Sequence, residues 1–104
     1  MPDDVRLSPQ TLLVLDHLLD GFPDWSYGYD ISQRTALKSG TLYPILMRLK
    51  DRGWLETRWE HAKGDGKPRH MYRFTREGRA AARAAVISRQ GASRLRQRLA
   101  YEGR

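Results

Sequence analysis

The sequence predicts a mainly α fold with a small β-hairpin, built from three helices, a two-stranded wing and a C-terminal helix. Two observations carry this reading. Apolar residues recur at helical spacing in the first half, most fully at Leu42, Ile45, Leu46 and Leu49, which occupy i, i+3, i+4 and i+7. From Trp54 the period then changes to two, and a turn signature divides the alternating stretch into a pair of short strands.

Ser8-Pro9 opens the first helix, because serine can cap the free N–H groups and proline fits the first helical position. Leu12, Leu15, Leu18 and Leu19, joined by Leu13 and Val14, make most of this helix buried until Gly21 and Pro23 stop it. Ser26 is expected to cap a short second helix from Tyr27 to Thr35, with Ile31 inward and Gln33 and Arg34 outward. After the tight connection Ala36-Leu37-Lys38, a third helix opens at Ser39 or Gly40 and ends at Gly53. Its outward face carries Gly40, Pro44, Met47 and Asp51, flanked by Thr41, Tyr43 and Arg48. Pro44 is tolerable in the first turn only, so the helix should begin within a few residues of it.

The strand from Trp54 to His61 alternates Leu55, Thr57 and Trp59 against Glu56, Arg58 and Glu60. Asp65-Gly66, inside Gly64-Asp65-Gly66-Lys67-Pro68, suits a two-residue hairpin turn, and His70 to Thr75 returns. That turn places Trp59 opposite Tyr72, Thr57 opposite Phe74 and His61 opposite His70. Thr75 is expected to cap the last helix, with Glu77 at its positive end and alanines and arginines beyond; Gly91 is expected to break or fray it before Leu95 and Leu99.

At 104 residues the chain has room for one modest core, and 39% hydrophobic with 30% charged residues is a globular mixture. Its apolar runs are too short to span a bilayer, and its acidic start lacks the features of an export signal, so a cytoplasmic protein off the membrane is expected. With no cysteine there is no disulfide, thiolate nucleophile or cysteine zinc site. Neither a glycine-rich phosphate loop nor a histidine grouped with a carboxylate and a nucleophile is present, so no enzyme and no cofactor are expected. The net charge of +7 is unevenly distributed: −4 over residues 1–37, +5 over 38–75 and +6 over 76–104. Positive charge starting at Lys38 suggests a polyanionic partner, nucleic acid foremost, against the plainer reading of a solvated basic surface.

Helix, helix, short turn, helix, hairpin and closing helix is the order of a winged helix-turn-helix, in which the third helix fits the DNA major groove and the second braces it. The residues themselves resemble the PadR family of regulators. Ser39-Gly40-Thr41-Leu42-Tyr43-Pro44-Ile45-Leu46, continuing to Arg52-Gly53-Trp54-Leu55, looks like the family's recognition helix; Tyr27-Gly28-Tyr29-Asp30-Ile31 resembles its second helix; and Gly66 to Arg79 resembles its wing and exit. The resemblance implies a homodimer on double-stranded DNA with a near-palindromic, inverted-repeat operator, usually repressing, with any small-molecule effector unspecified. It also implies dimerisation through C-terminal helices, but this chain departs from that pattern: its tail carries only Val86, Ile87, Leu95 and Leu99 as large apolar side chains, which leaves a weak dimer, recruitment of the first helix or dependence on DNA as alternatives. Residues 1–79 are accordingly read as the winged DNA-binding domain and 80–104 as a basic C-terminal helix or tail that is a candidate dimerisation element.

The candidate DNA contacts are Tyr27 and Gly28 at the start of the second helix, Lys38, Ser39, Thr41, Tyr43, Pro44 and Arg48 along the third, and Lys67 and Arg69 on the wing. Hydroxyls can bond phosphate or base edges, arginine can grip guanine, and helix N-termini offer free N–H groups. Plainer readings stand beside these: Tyr43 packing on its own helix or the wing, Arg48 pairing with Asp51 or Asp16, Lys67 and Arg69 in a solvated loop. Trp25, Trp54, Trp59, Tyr72 and Phe74 are read as core rather than base-stacking residues. His61 facing His70 lacks a convergent third ligand, so no metal is expected, and His17 is read as a boundary residue. The rivals to sequence-specific regulation are a winged-helix protein-interaction module and sequence-indifferent nucleic-acid binding through the arginine-rich tail.

Overall fold

Ser8 opens the first helix as its sequence requires: its hydroxyl accepts a hydrogen bond from the Thr11 backbone N–H at 3.1 Å, and Pro9 takes the first helical position. The computed structural model describes residues 7–61 and 66–102, with side chains through Arg89. In chain order the elements are α1 (Pro9–Gly21), β1 (Ser26–Tyr27), α2 (Gly28–Thr35), α3 (Ser39–Asp51), β2 (Leu55–Glu60), β3 (Arg69–Phe74) and α4 (Arg76–Glu102).

The core is the sum of the predicted apolar faces. Val14, Leu15 and Leu18 of α1, Ile31 of α2, and Leu42, Ile45, Leu46 and Leu49 of α3 meet Leu55, Tyr72 and Phe74 from the sheet and Ala82 from α4. Leu12, Leu19, Phe22, Leu37, Trp54 and Val86 pack around them, partly buried. Since Ala82 is fully buried, α4 contributes to the same core as the helices before it and crosses residue 79 without interruption.

Several expectations are corrected. Ser26 does not cap α2: Ser26 and Tyr27 form a short strand that pairs antiparallel with β3, opposite Tyr72 and Met71. The sheet therefore has three strands in the order β1-β3-β2, and α2 starts without a side-chain cap. A two-residue strand shows no alternation; it forms because the edge of β3 would otherwise leave backbone groups unpaired.

The hairpin register is shifted by two residues from the expected one, with Leu55 opposite Phe74, Thr57 opposite Tyr72 and Trp59 opposite His70. Each side chain keeps its face, because the slide preserves parity, and the two most buried residues of the hairpin now face each other. His61 and His70 are thus not partners, and Trp59 lies beyond the core, 56% exposed. Trp25 also lies outside the core, half-buried beneath the Arg73 guanidinium. Pairing ends at Glu60 and Arg69, and the expected Asp65-Gly66 turn falls largely outside the described residues.

Pro44 is the sixth residue of α3 rather than part of its first turn. The carbonyl it leaves without a helical donor is that of Gly40; both residues are exposed, so water can take the missing bond. Nor does Gly91 break α4, which runs on to Glu102. One glycine costs about 1 kcal/mol in a helix interior, too little to offset the alanine, arginine, glutamine and leucine around it. The expected Leu95 and Leu99 stripe falls outside the described side chains.

Candidate nucleic-acid interface

The connection between α2 and α3 is held by side chains that the sequence places within one turn. Thr35 Oγ1 donates to the Ile31 carbonyl at 2.7 Å and accepts the Leu37 N–H at 3.4 Å, while Ser32 Oγ donates to the Leu37 carbonyl at 2.7 Å. Ala36 takes the left-handed conformation between them, φ 59°. These bonds fix α3 against α2, which is the bracing a reading helix needs.

At its far end α3 closes with Gly53 at φ 77°, whose N–H reaches the Lys50 carbonyl while the Trp54 N–H reaches Leu49, each at 2.9 Å. This is a Schellman end, which glycine favours because the left-handed conformation costs it nothing. The exit of the wing returns to the same place. Thr75 Oγ1 donates to the Gly53 carbonyl at 2.7 Å, its N–H reaches Trp54, and the same hydroxyl caps α4 by accepting the Gly78 N–H at 2.9 Å. Both ends of the wing are therefore tied to the end of α3.

On α3 the inward stripe is buried and the outward face is open: Ser39, Gly40, Thr41, Tyr43, Pro44, Met47, Arg48 and Asp51 are all exposed. Lys38 precedes the helix as its N-cap and offers no side-chain cap; its carbonyl takes the Thr41 and Leu42 N–H groups, which leaves those of Ser39 and Gly40 open to a ligand. Arg48 makes no ion pair among the described residues, with Asp51, Asp16 or any other carboxylate.

Between α3 and the wing lies a cleft of about 450 Å³, lined by Tyr27, Tyr29, Asp30, Tyr43, Trp59, Pro68, Arg69 and His70. Tyr43 reaches across it to the start of α2, where a Cβ on Gly28 would stand 2.9 Å from its hydroxyl. Tyr27 donates its hydroxyl proton to Glu60 at 2.9 Å, and the Arg69 guanidinium lies 4.8 Å above the Tyr27 ring. Opposite, Trp59 and His70 stack with centroids 4.2 Å apart and planes 9° from parallel, and His70 Nδ1 is 2.8 Å from the Tyr72 hydroxyl. Burial, reinforced by the nearby Tyr43 phenol, pushes the Tyr72 hydroxyl up to about 12, so it stays protonated. Burial and then the Lys50 charge hold His70 below the usual histidine range, favouring a neutral ring.

Of the residues singled out from sequence, Tyr27, Tyr43 and Arg69 meet in this cleft, and Gly28 lies buried behind the Tyr43 hydroxyl. Ser39, Thr41, Pro44 and Arg48 share the exposed surface of α3, and Lys67 is exposed on the wing beside Pro68. Arg69 is the first residue of β3, folded onto Tyr27, rather than a free tip residue. Trp59, His70, Tyr29 and Asp30 were not legible as cleft residues. Trp59 sits in the same alternating register as core residues, and only its pairing with His70 marks it as lying outside the core.

A helix-turn-helix whose reading helix is open on one face, followed by a wing tied to that helix, defines the winged-helix class of DNA-binding regulators. Residues 15–84 match the model of the transcriptional regulator PadR-like family, and the chain belongs to that family. It is similar to the structure of a PadR family transcriptional regulator from Eggerthella lenta DSM 2243, at 30% identity and a TM-score of 0.70, over 86% of this chain and 79% of that one. It is also similar to smu.1704 from Streptococcus mutans UA159, at 30% identity and a TM-score of 0.69, over 90% and 91% of the two chains. Bacillus subtilis PadR in complex with operator DNA shares the fold at 22% identity and a TM-score of 0.65, over 79% of this chain and 49% of that one. Comparison with curated proteins gives no significant match. Among the described residues no helix is long and apolar enough to cross a membrane.

Proposed function

We propose that this protein is a cytoplasmic repressor that binds an inverted-repeat operator as a homodimer, placing the exposed face of α3 in the major groove and the wing beside it. The observation that carries the reading is the division of α3 itself. One face is wholly buried, while Ser39, Thr41, Tyr43 and Arg48 stand exposed on the other, with Lys38 at its start and Lys67 on the adjoining wing. Thr41, Tyr43 and Arg48 are assigned to base edges or nearby phosphates, and Lys38, Ser39, Lys67 and Arg69 to the backbone. Tyr27 and Gly28 would meet a phosphate at the start of α2, and Pro44 would line the groove wall. The Bacillus subtilis relative in complex with operator DNA is a precedent for operator binding by this fold.

Dimerisation is assigned to α1 and α4. Pro9, Leu12, Leu13, Asp16, Val86 and Arg89 line a shallow groove between them, with Leu13 49% and the neighbouring Ile87 58% exposed. One short reading helix per chain covers only a half-site, so a two-fold pair is needed for a full operator.

Duplexes selected by the purified protein from a random pool test the proposal. Inverted repeats with half-sites about one turn apart, bound by two chains, support it. A 1:1 complex on a single half-site overturns the dimer. Steep salt dependence without sequence preference would mark a sequence-indifferent binder, and absence of any salt-dependent duplex binding a protein-interaction module.

A further inference from the structure

We propose that His70 is a DNA-phosphate contact in the cleft between α3 and the wing, so that binding DNA takes up a proton at its ring. The inference rests on the DNA-binding reading above and adds a residue and a pH dependence to it.

The ring is built to exist in both charge states without moving. It stacks on the Trp59 indole, and the Tyr72 ring lies 4.4 Å away on a 41° tilt. A neutral imidazole accepts the Tyr72 hydroxyl proton at Nδ1 and carries its own N–H on the other nitrogen. An imidazolium donates from Nδ1 to the Tyr72 oxygen instead, so the 2.8 Å contact serves either form with its direction reversed. The indole face below favours the cation.

The charges around the ring decide which form prevails. Partial burial comes first and the Lys50 charge on α3 second in keeping it neutral. The Tyr43 phenol faces it from α3, Asp30 from α2 and Arg69 from its own strand, all lining the same cleft. Glu60 of β2 is taken by the Tyr27 hydroxyl of β1. A phosphate entering this cleft brings negative charge that offsets Lys50 and stabilises the imidazolium, raising the ring's pKa in the complex.

The sign follows from linkage. The free ring titrates below the ordinary value and the bound ring above the free one, so DNA affinity is greatest when both forms are protonated and is lost as pH rises through the bound value. Affinity should change by about tenfold for each pKa unit that separates the two states.

The test uses the full chain and a fluorescently labelled random-sequence duplex at low salt, since a phosphate contact needs no particular operator. Affinity is measured from about pH 5 to 8 for the parent, His70→Gln, His17→Gln and His61→Gln. The parent, His17→Gln and His61→Gln should weaken as pH rises, and His70→Gln should lose that slope. In parallel, NMR titration of the parent follows the ring proton showing a nuclear Overhauser contact to Trp59, which needs no variant to fold. Its midpoint should move up when duplex is added. A His70→Gln protein that keeps the parent's slope, or an unmoved midpoint in a saturated complex, overturns the proposal while leaving DNA binding intact. Failure to bind duplex at any pH removes the DNA reading and this inference with it.

Discussion

Gly28 and Tyr43 meet at the start of α2, and the contact separates holding from reading. A methyl group at residue 28 would crowd the Tyr43 hydroxyl, which is the free end of a rotatable side chain rather than fixed backbone. Gly28→Ala should therefore leave the melting temperature within the range of a neutral surface change, about 0.5 kcal/mol, while displacing Tyr43 and weakening duplex binding. Parent-like affinity by competition binding would show that Tyr43 is not held there for DNA. The two faces of α3 make a sharper contrast. Arg48→Ala and Thr41→Ala should melt like the parent and cost about 1–3 kcal/mol of specific binding wherever the side chain touches a base. Leu46, 1% exposed, is different: Leu46→Ala should cost about 2–5 kcal/mol of stability and lose binding only through unfolding. Melting and competition curves on all three variants decide the matter, and a stable Leu46→Ala beside a collapsed Arg48→Ala would invert the faces.

Gly78 governs how α4 meets the wing. In the first turn of α4, a Cβ there would run into the Trp54 backbone, which cannot swing aside as a side-chain tip can. Gly78→Ala gains about 1 kcal/mol of helix propensity and incurs an overpacking cost of about 1–3 kcal/mol with little room to relax. A net loss of stability is expected, read as a lower urea midpoint with an unchanged slope. A more stable variant would show that α4 shifts freely, and the wing would then lack its fixed attachment to α3. The same logic explains the hairpin. Alternation in the sequence identified β2 and β3 and their faces, but a slide of two residues keeps every face, so only packing of Leu55 on Phe74 selected the register.

Across the whole molecule, charge is graded from an acidic first third to a basic helix that continues past the core. If the segment after Gly91 serves mainly to attract phosphate, truncating there should weaken specific and random duplexes alike. It should also flatten the salt slope by about one unit for every phosphate that the shortened chain no longer neutralises. Binding isotherms across a salt series, with sedimentation on the same samples, check this. Unchanged binding by a chain that has become monomeric would make the segment a dimerisation element instead, and would move the dimer interface outward from the Leu13 and Ile87 surface.

The presence of four helices, the inward stripe of α3, the Ser8 and Thr75 caps, the Gly53 stop and the family could all be read along the chain, because each is written in residues close together in it. The remaining features arise only when distant segments pack. β1 exists because β3 had an edge to pair, and Trp59 leaves the core because the hairpin register follows Leu55 and Phe74. Pro44 is accommodated in the second turn of α3 because it and Gly40 are exposed, where solvent can take the missing bond. The cleft with His70 at its centre joins residues of β1, α2, α3, β2 and β3, and no local pattern carries that information: contacts between residues distant in the chain are set by how apolar faces fill one shared interior.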